Sequence, residues 1–95
     1  MRWMEIITLR SIETSAGSGV AALLRQILLP SSSSAQRPVD VKIYHLAELN
    51  TDFSIHIHWD GNAGSQVKSP LGLRLANNLK YIGLINHSIW IENGG

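Results

Sequence analysis

The sequence predicts an α+β protein of the ferredoxin-like class, a four-stranded antiparallel sheet with two helices on one face. Three observations carry that expectation. The stretch Asp52-Phe53-Ser54-Ile55-His56-Ile57-His58-Trp59-Asp60 alternates apolar and polar residues with the period of a half-buried strand. Ser69-Pro70, ahead of leucines spaced four apart, is a helix start. The order of strand-like and helix-like stretches along the chain is β, α, β, β, α, β, which closes into a sheet of order 4-1-3-2.

The elements follow in order. Trp3 to Arg10 is rich in β-branched and aromatic residues and reads as a strand. Both of its faces are largely apolar, Met4, Ile6 and Thr8 on one and Trp3, Glu5, Ile7 and Leu9 on the other, as in a central strand covered on two sides. Thr14, Ser15 and Ser18 are N-cap residues for a first helix whose stripe is Val20, Leu23, Leu24, Ile27 and Leu28. Pro30 and the serines after it end that helix, and residues 31–38 form a Ser/Pro-rich connector. Val39 to Leu46 alternates again and carries Lys42 and a preceding proline, the marks of an edge strand. The short Ala47 to Thr51 link pairs it antiparallel with the Asp52 strand. Gly61 to Ser65 is loop chemistry. The second helix shows Leu71, Leu75, Leu79 and Ile82 on one stripe. Gly72 weakens it by about 1 kcal/mol relative to alanine, which points to a close approach. Gly83 is expected as the residue that ends it. Leu84 to Ile91 is the last strand, and 92–95 a flexible tail.

In this arrangement the strands from Trp3 and Asp52 are central and are expected to run parallel. The helix-facing set is expected to be Met4, Ile6, Thr8, Val41, Ile43, Phe53, Ile55, Ile57, Ile85 and Ile89. The opposite face then holds Trp3, Glu5, Ile7, Leu9, Tyr44, Ser54, His56, His58, Asn86, Ser88 and Trp90. Such a face is too apolar to stay exposed and too polar for an ordinary core. It fits a second copy packed by two-fold symmetry, a ligand cavity, or both at once.

Composition narrows the classes. Ninety-five residues make one domain, and a chain this short gains from pairing with itself. It has no cysteine, so there is neither a disulfide framework nor thiol chemistry. A net charge of +1 argues against non-specific nucleic-acid binding. No apolar run reaches the length of a membrane helix, and Glu5 interrupts any signal-like start. The expectation is a soluble, cytoplasmic protein.

The element order, the size and the two-faced sheet resemble the dimeric α/β barrel superfamily, which includes antibiotic-biosynthesis monooxygenase-like and stress-responsive barrel proteins. The residues that carry the resemblance are Trp3 to Arg10 as first strand, Asp52 to Trp59 as third and Gly83 to Ile91 as fourth. The resemblance implies a homodimer packed sheet to sheet, with space for a small aromatic substrate. It also implies a cofactor-independent monooxygenase-like activity if the protein is an enzyme. Haem degradation in that group uses a first-strand asparagine and a second-helix histidine, and this chain has neither. RNA-recognition modules share the element order, but His56 and His58 stand where stacking aromatics belong and the basic-Gly-aromatic signature is absent. Acyl-phosphate hydrolysis lacks its glycine-rich loop.

The candidate catalytic residues are His56 and His58, whose Cα atoms lie about 6.5–7 Å apart on one strand face. Either can take a proton from a phenolic substrate, leaving an electron-rich anion to react with dioxygen. Trp3, Glu5, Tyr44, Asn86 and Trp90 are the candidate substrate-binding residues. No cofactor is predicted; a divalent metal would use His56, His58 and Glu5. His87 falls on the core face, where a hydrogen-bonded histidine is expected. His45 is expected to be solvated, and the Lys68 region to serve as loop and cap. The competing reading is a non-catalytic dimeric interaction or stress-response module whose polar sheet face is the subunit interface.

Overall fold

The structure is a computed structural model that describes residues 2–11, 22, 25, 38–48, 51–60 and 68–92. Its elements are β1 (Arg2–Ser11), β2 (Asp40–His45), β3 (Asp52–Asp60), α1 (Pro70–Leu79) and β4 (Gly83–Ile91). Of the first predicted helix, Ala22 and Arg25 are helical and exposed. The remainder of that helix, its caps, the serine-rich connector, the loop of residues 61–67 and residues 93–95 lie outside the described residues.

The four strands form one sheet in the order β2-β3-β1-β4. This is the ferredoxin-like order expected from the sequence. β1 runs antiparallel to both neighbours, pairing Ile7 with Ile55 on β3 and with His87 on β4. The expectation of parallel central strands was therefore wrong. A crossover returns the chain parallel to where it started, and the intervening strand fills the gap in the opposite sense. β2 pairs antiparallel with β3, as the short link requires.

α1 covers one sheet face. Leu75 and Leu79 are fully buried against Ile7, Leu9, Ile55 and Ile57, with Trp3, Trp59 and Ala76 completing the cluster. Phe53, Ile85 and Ile89 pack at its margin. The face assignments for β2, β3 and β4 hold, but that for β1 is reversed. Trp3, Glu5, Ile7 and Leu9 are buried under the helix, while Met4, Ile6 and Thr8 lie on the opposite face. A shift of one residue exchanges every side chain between the two faces. What fixes the observed choice is what Glu5 and Trp3 find beneath the helix. Trp3 stacks on Trp59 with centroids 5.6 Å apart and planes 16° from parallel, and Glu5 finds four donors.

The start of α1 is as predicted. Ser69 is the N-cap, and its Oγ accepts the N–H of Gly72 at 2.9 Å, with Pro70 following in the first turn. The helix ends at Leu79, earlier than the apolar stripe suggested. The Ile82 N–H donates to the Leu79 carbonyl in a tight final turn, and Ile82 still packs on the core. Gly83 is the first residue of β4 rather than the helix terminator. A Cβ there would stand 2.1 Å from the carbonyl oxygen of Arg10, so its glycine serves the close pairing with β1.

Candidate functional site

The sheet face away from α1 is the candidate site, and strand register lays it out in rows. The row Tyr44, Ser54, Thr8, Asn86 crosses all four strands. Neighbouring strands lie about 4.8 Å apart, so this is a ladder of four uncharged hydrogen-bonding groups. On one side of it runs Asp52, Arg10, Leu84, where Arg10 Nε donates to Asp52 Oδ2 at 3.3 Å. On the other side runs Lys42, His56, Ile6, Ser88, and beyond that Asp40, His58, Met4, Trp90.

A groove of about 510 Å³ opens over the first two of these rows. Its walls are the triplets Thr8 to Arg10, Tyr44 to Leu46, Asp52 to Ser54 and Leu84 to Asn86. The outer two residues of each triplet point to the open face and the middle one points away. The groove therefore belongs to the face opposite α1.

His56 stands beside the groove. Its Nε2 lies 2.8 Å from Ser54 Oγ, and its ring centroid is 4.7 Å from that of Tyr44, tilted by 54°. Burial, together with the charge of His58 two residues on, lowers the His56 pKa below its ordinary value. At neutral pH the ring is uncharged. At the far end of the face the Trp90 indole N–H donates to Ser88 Oγ at 2.8 Å. Much of this face is uncovered in the single chain, with Leu84 76% and Trp90 56% exposed.

A second polar cluster lies behind the sheet. The Glu5 carboxylate is fully buried. Its Oε1 accepts from Trp59 Nε1 at 2.8 Å and from the Ser69 hydroxyl. Its Oε2 accepts the Ser69 backbone N–H at 3.1 Å and lies 2.7 Å from His87 Nε2. The indole and the amide can only donate, and the Ser69 oxygen already accepts from Gly72. A carboxylate facing a protonated His87 Nε2 satisfies every group. All buried side-chain nitrogens and oxygens among the described residues have a partner.

The structure thus divides the predicted site. His56, His58, Tyr44, Asn86 and Trp90 share the open face, and Tyr44 and Asn86 line its groove. Trp3 and Glu5 lie on the other side of the sheet, because β1 presents its odd-numbered residues to the helix. For the same reason Glu5 does not meet His56 and His58, and the proposed metal set has no common centre. Among the described residues no group of three or more His, Asp or Glu side chains is placed to hold a metal. His87 sits on the core face with a partner, and His45 is exposed. Sequence reasoning missed Thr8 and Arg10, which follow from the β1 register. It also assigned no role to Ser54, whose signal was its position two residues before His56.

No protein-family model matches the sequence, and no curated protein matches it by sequence. The fold, by contrast, has clear neighbours. It superposes on solved structures over nearly the whole chain. Rv0793 from Mycobacterium tuberculosis is 12% identical and superposes with a TM-score of 0.67 over 100% of this chain and 98% of its own. SnoaB, a cofactor-independent oxygenase from Streptomyces nogalater, is 11% identical with a TM-score of 0.66 over 99% of this chain and 95% of its own. A further protein, described as an antibiotic biosynthesis monooxygenase, is 12% identical with a TM-score of 0.58 over 97% of this chain and 98% of its own. No helix among the described residues is long and apolar enough to cross a membrane.

Proposed function

We propose that the protein works as a homodimer packed through its open sheet face. In this reading it binds a small aromatic molecule in the groove and oxidises it with dioxygen, without metal or flavin. The observation that carries the reading is the open face itself. It combines uncovered apolar and aromatic side chains with a groove whose floor is a row of uncharged hydrogen-bonding groups. Met4, Ile6 and Trp90 give a second copy something to bury. Tyr44 and Asn86 would hold the ligand's edge by hydrogen bonds while the sheet supports its ring. SnoaB shares the fold and is a cofactor-independent oxygenase, which favours the oxidative chemistry. For a phenol, one O₂ would be consumed per ring. One oxygen atom would remain as the quinone carbonyl and the other would leave as water.

Light scattering of the purified protein, tryptophan quenching by hydroxylated naphthalenes and oxygen uptake with the same compounds test the reading together. A dimer that binds them and accelerates oxygen uptake above the protein-free rate supports it. A dimer that binds none of them is the non-catalytic interaction module instead, a reading favoured by the exposed Trp90 at the end away from the groove. A monomer at micromolar concentration overturns both.

A further inference from the structure

We propose that the stacked pair Trp3 and Trp59 is a one-electron redox site that quenches peroxyl radicals, with Glu5 taking the Trp59 N–H proton as the electron leaves. This goes beyond the preceding reading and does not depend on what the groove binds.

The chain has no cysteine, so a radical meets tryptophan, tyrosine or methionine instead of a thiol. The tryptophans are not equivalent. Trp59 Nε1 donates to the buried Glu5 carboxylate at 2.8 Å, and a carboxylate is a base. Trp90 Nε1 donates at the same 2.8 Å to the Ser88 hydroxyl, which is not one. An anion beside the ring also favours positive charge on it, and more strongly in a buried site than in water. Trp3 lies over Trp59 with planes 16° from parallel, so a missing electron is shared by two rings. Both rings are buried, which keeps the resulting radical from solvent while the electron leaves across the thin protein edge.

The step balances. The peroxyl radical takes one electron, becomes a hydroperoxide anion and draws a proton from water. Trp59 loses that electron, and its N–H bond breaks as an O–H bond forms at Glu5 Oε1. The neutral indolyl radical then accepts a hydrogen bond from the acid that it has just protonated. No other contact of the carboxyl group has to change. The Ser69 hydroxyl still donates to Oε1, and the Ser69 N–H and His87 Nε2 still face Oε2. An ascorbate-class reductant closes the cycle: it returns the electron, and Glu5 returns the proton to the indole.

The test is flash-quench oxidation by tris(bipyridine)ruthenium(III), read by transient absorption, in which the indolyl radical and its cation have different visible bands. It is run on Trp90→Phe, which removes the exposed tryptophan that would react first. The expected first species is the neutral radical. Glu5→Gln in the same background should give the cation first. That cation should lose its proton to water at least about tenfold more slowly, the weight of one hydrogen bond to a charged group. A cation as first species in Trp90→Phe itself overturns the role of the carboxylate, and that arm changes nothing within the cluster. Equal rates with and without Glu5→Gln overturn it as well. Under peroxyl radicals from a water-soluble azo initiator, the wild type should show an indolyl signal by electron paramagnetic resonance. Ascorbate should erase that signal and leave the mass of Trp59 unchanged. Oxygen added to Trp59, or a signal that persists in Trp59→Phe, overturns the proposed site.

Discussion

Gly72 lies directly against the buried carboxylate of Glu5. A Cβ at that position would stand 2.1 Å from Glu5 Oε2 and 3.0 Å from His87 Nε2. The first turn of α1 therefore rests on the carboxylate itself, and the missing side chain is what lets it do so. Gly72→Ala separates two opposed effects. Helix propensity alone would stabilise the protein by about 1 kcal/mol. Overpacking against a group held by four donors costs about 1–3 kcal/mol. Because Glu5 has nowhere to move without losing partners, the second effect should win. Urea unfolding should show a lower midpoint for Gly72→Ala, and a raised midpoint would mean that the carboxylate is free to shift.

Glu5→Gln keeps the shape and removes the charge. The amide oxygen can serve Trp59 and the Ser69 hydroxyl, but the amide nitrogen then faces the Ser69 N–H, donor against donor. A buried donor left without an acceptor costs about 1–3 kcal/mol. The variant should remain folded with a lower unfolding midpoint, and the amide proton of Ser69 should lose protection in hydrogen exchange. An unchanged midpoint would show that the carboxylate's charge contributes nothing to the docking of α1.

The same cluster explains which parts of the fold could be read in advance. β3 and β4 alternate strongly, and Ser69-Pro70 marks a helix start through its own chemistry, so these elements and their faces were visible in the chain. β1 was not. Ile7 and Leu9 balance Met4 and Ile6, and the glutamate in the middle of the strand pointed the wrong way. A glutamate is rarely buried unless it is paired. Its partners here come from β3, β4 and the N-cap of α1, at Trp59, His87 and Ser69, and no local pattern announces them. Gly72 was recognisable as a place of close approach, but not what approached it. The groove row follows the same logic. Tyr44, Ser54 and Asn86 were correctly placed on one face, while Thr8 joined them only once the β1 register was known.

His56 gives the open face a dependence on pH whose sign follows from its lowered pKa. Above its ordinary value of 6.5 the ring is neutral in both folded and unfolded chains, and no penalty applies. As the pH falls below that value the unfolded chain takes up the proton first. Stability then declines until the folded ring also titrates, and levels off below that point. Other groups titrate over the same range, so the comparison is with His56→Gln. The difference in unfolding midpoint between the two proteins should move against the wild type as pH drops from about 7.5 to 5.5. A difference that stays constant across that range would mean that His56 is not desolvated in the folded protein.

Ile6 and Ile7 are adjacent on β1 and point to opposite faces, so one pair of substitutions tests both the register and the dimer. Ile7 is fully buried under α1. Ile7→Lys would place an unpaired charge in the core, at a cost of several kcal/mol, about 3–5 by the scale of broken buried pairs. That is a large share of the stability of so small a domain, and the variant should not fold cooperatively. Ile6 is half-buried on the open face, between His56 on β3 and Ser88 on β4. Ile6→Lys should leave the fold intact, since a lysine there reaches water in the single chain. It should abolish the dimer, because a second copy would bury that charge beside Lys42 and His56. Circular dichroism reads the first outcome and light scattering the second. A folded monomer for Ile6→Lys with an unfolded Ile7→Lys is the expected result. A folded dimer for Ile6→Lys would move the subunit interface off this face, and an unfolded Ile6→Lys with a folded Ile7→Lys would reverse the register of β1.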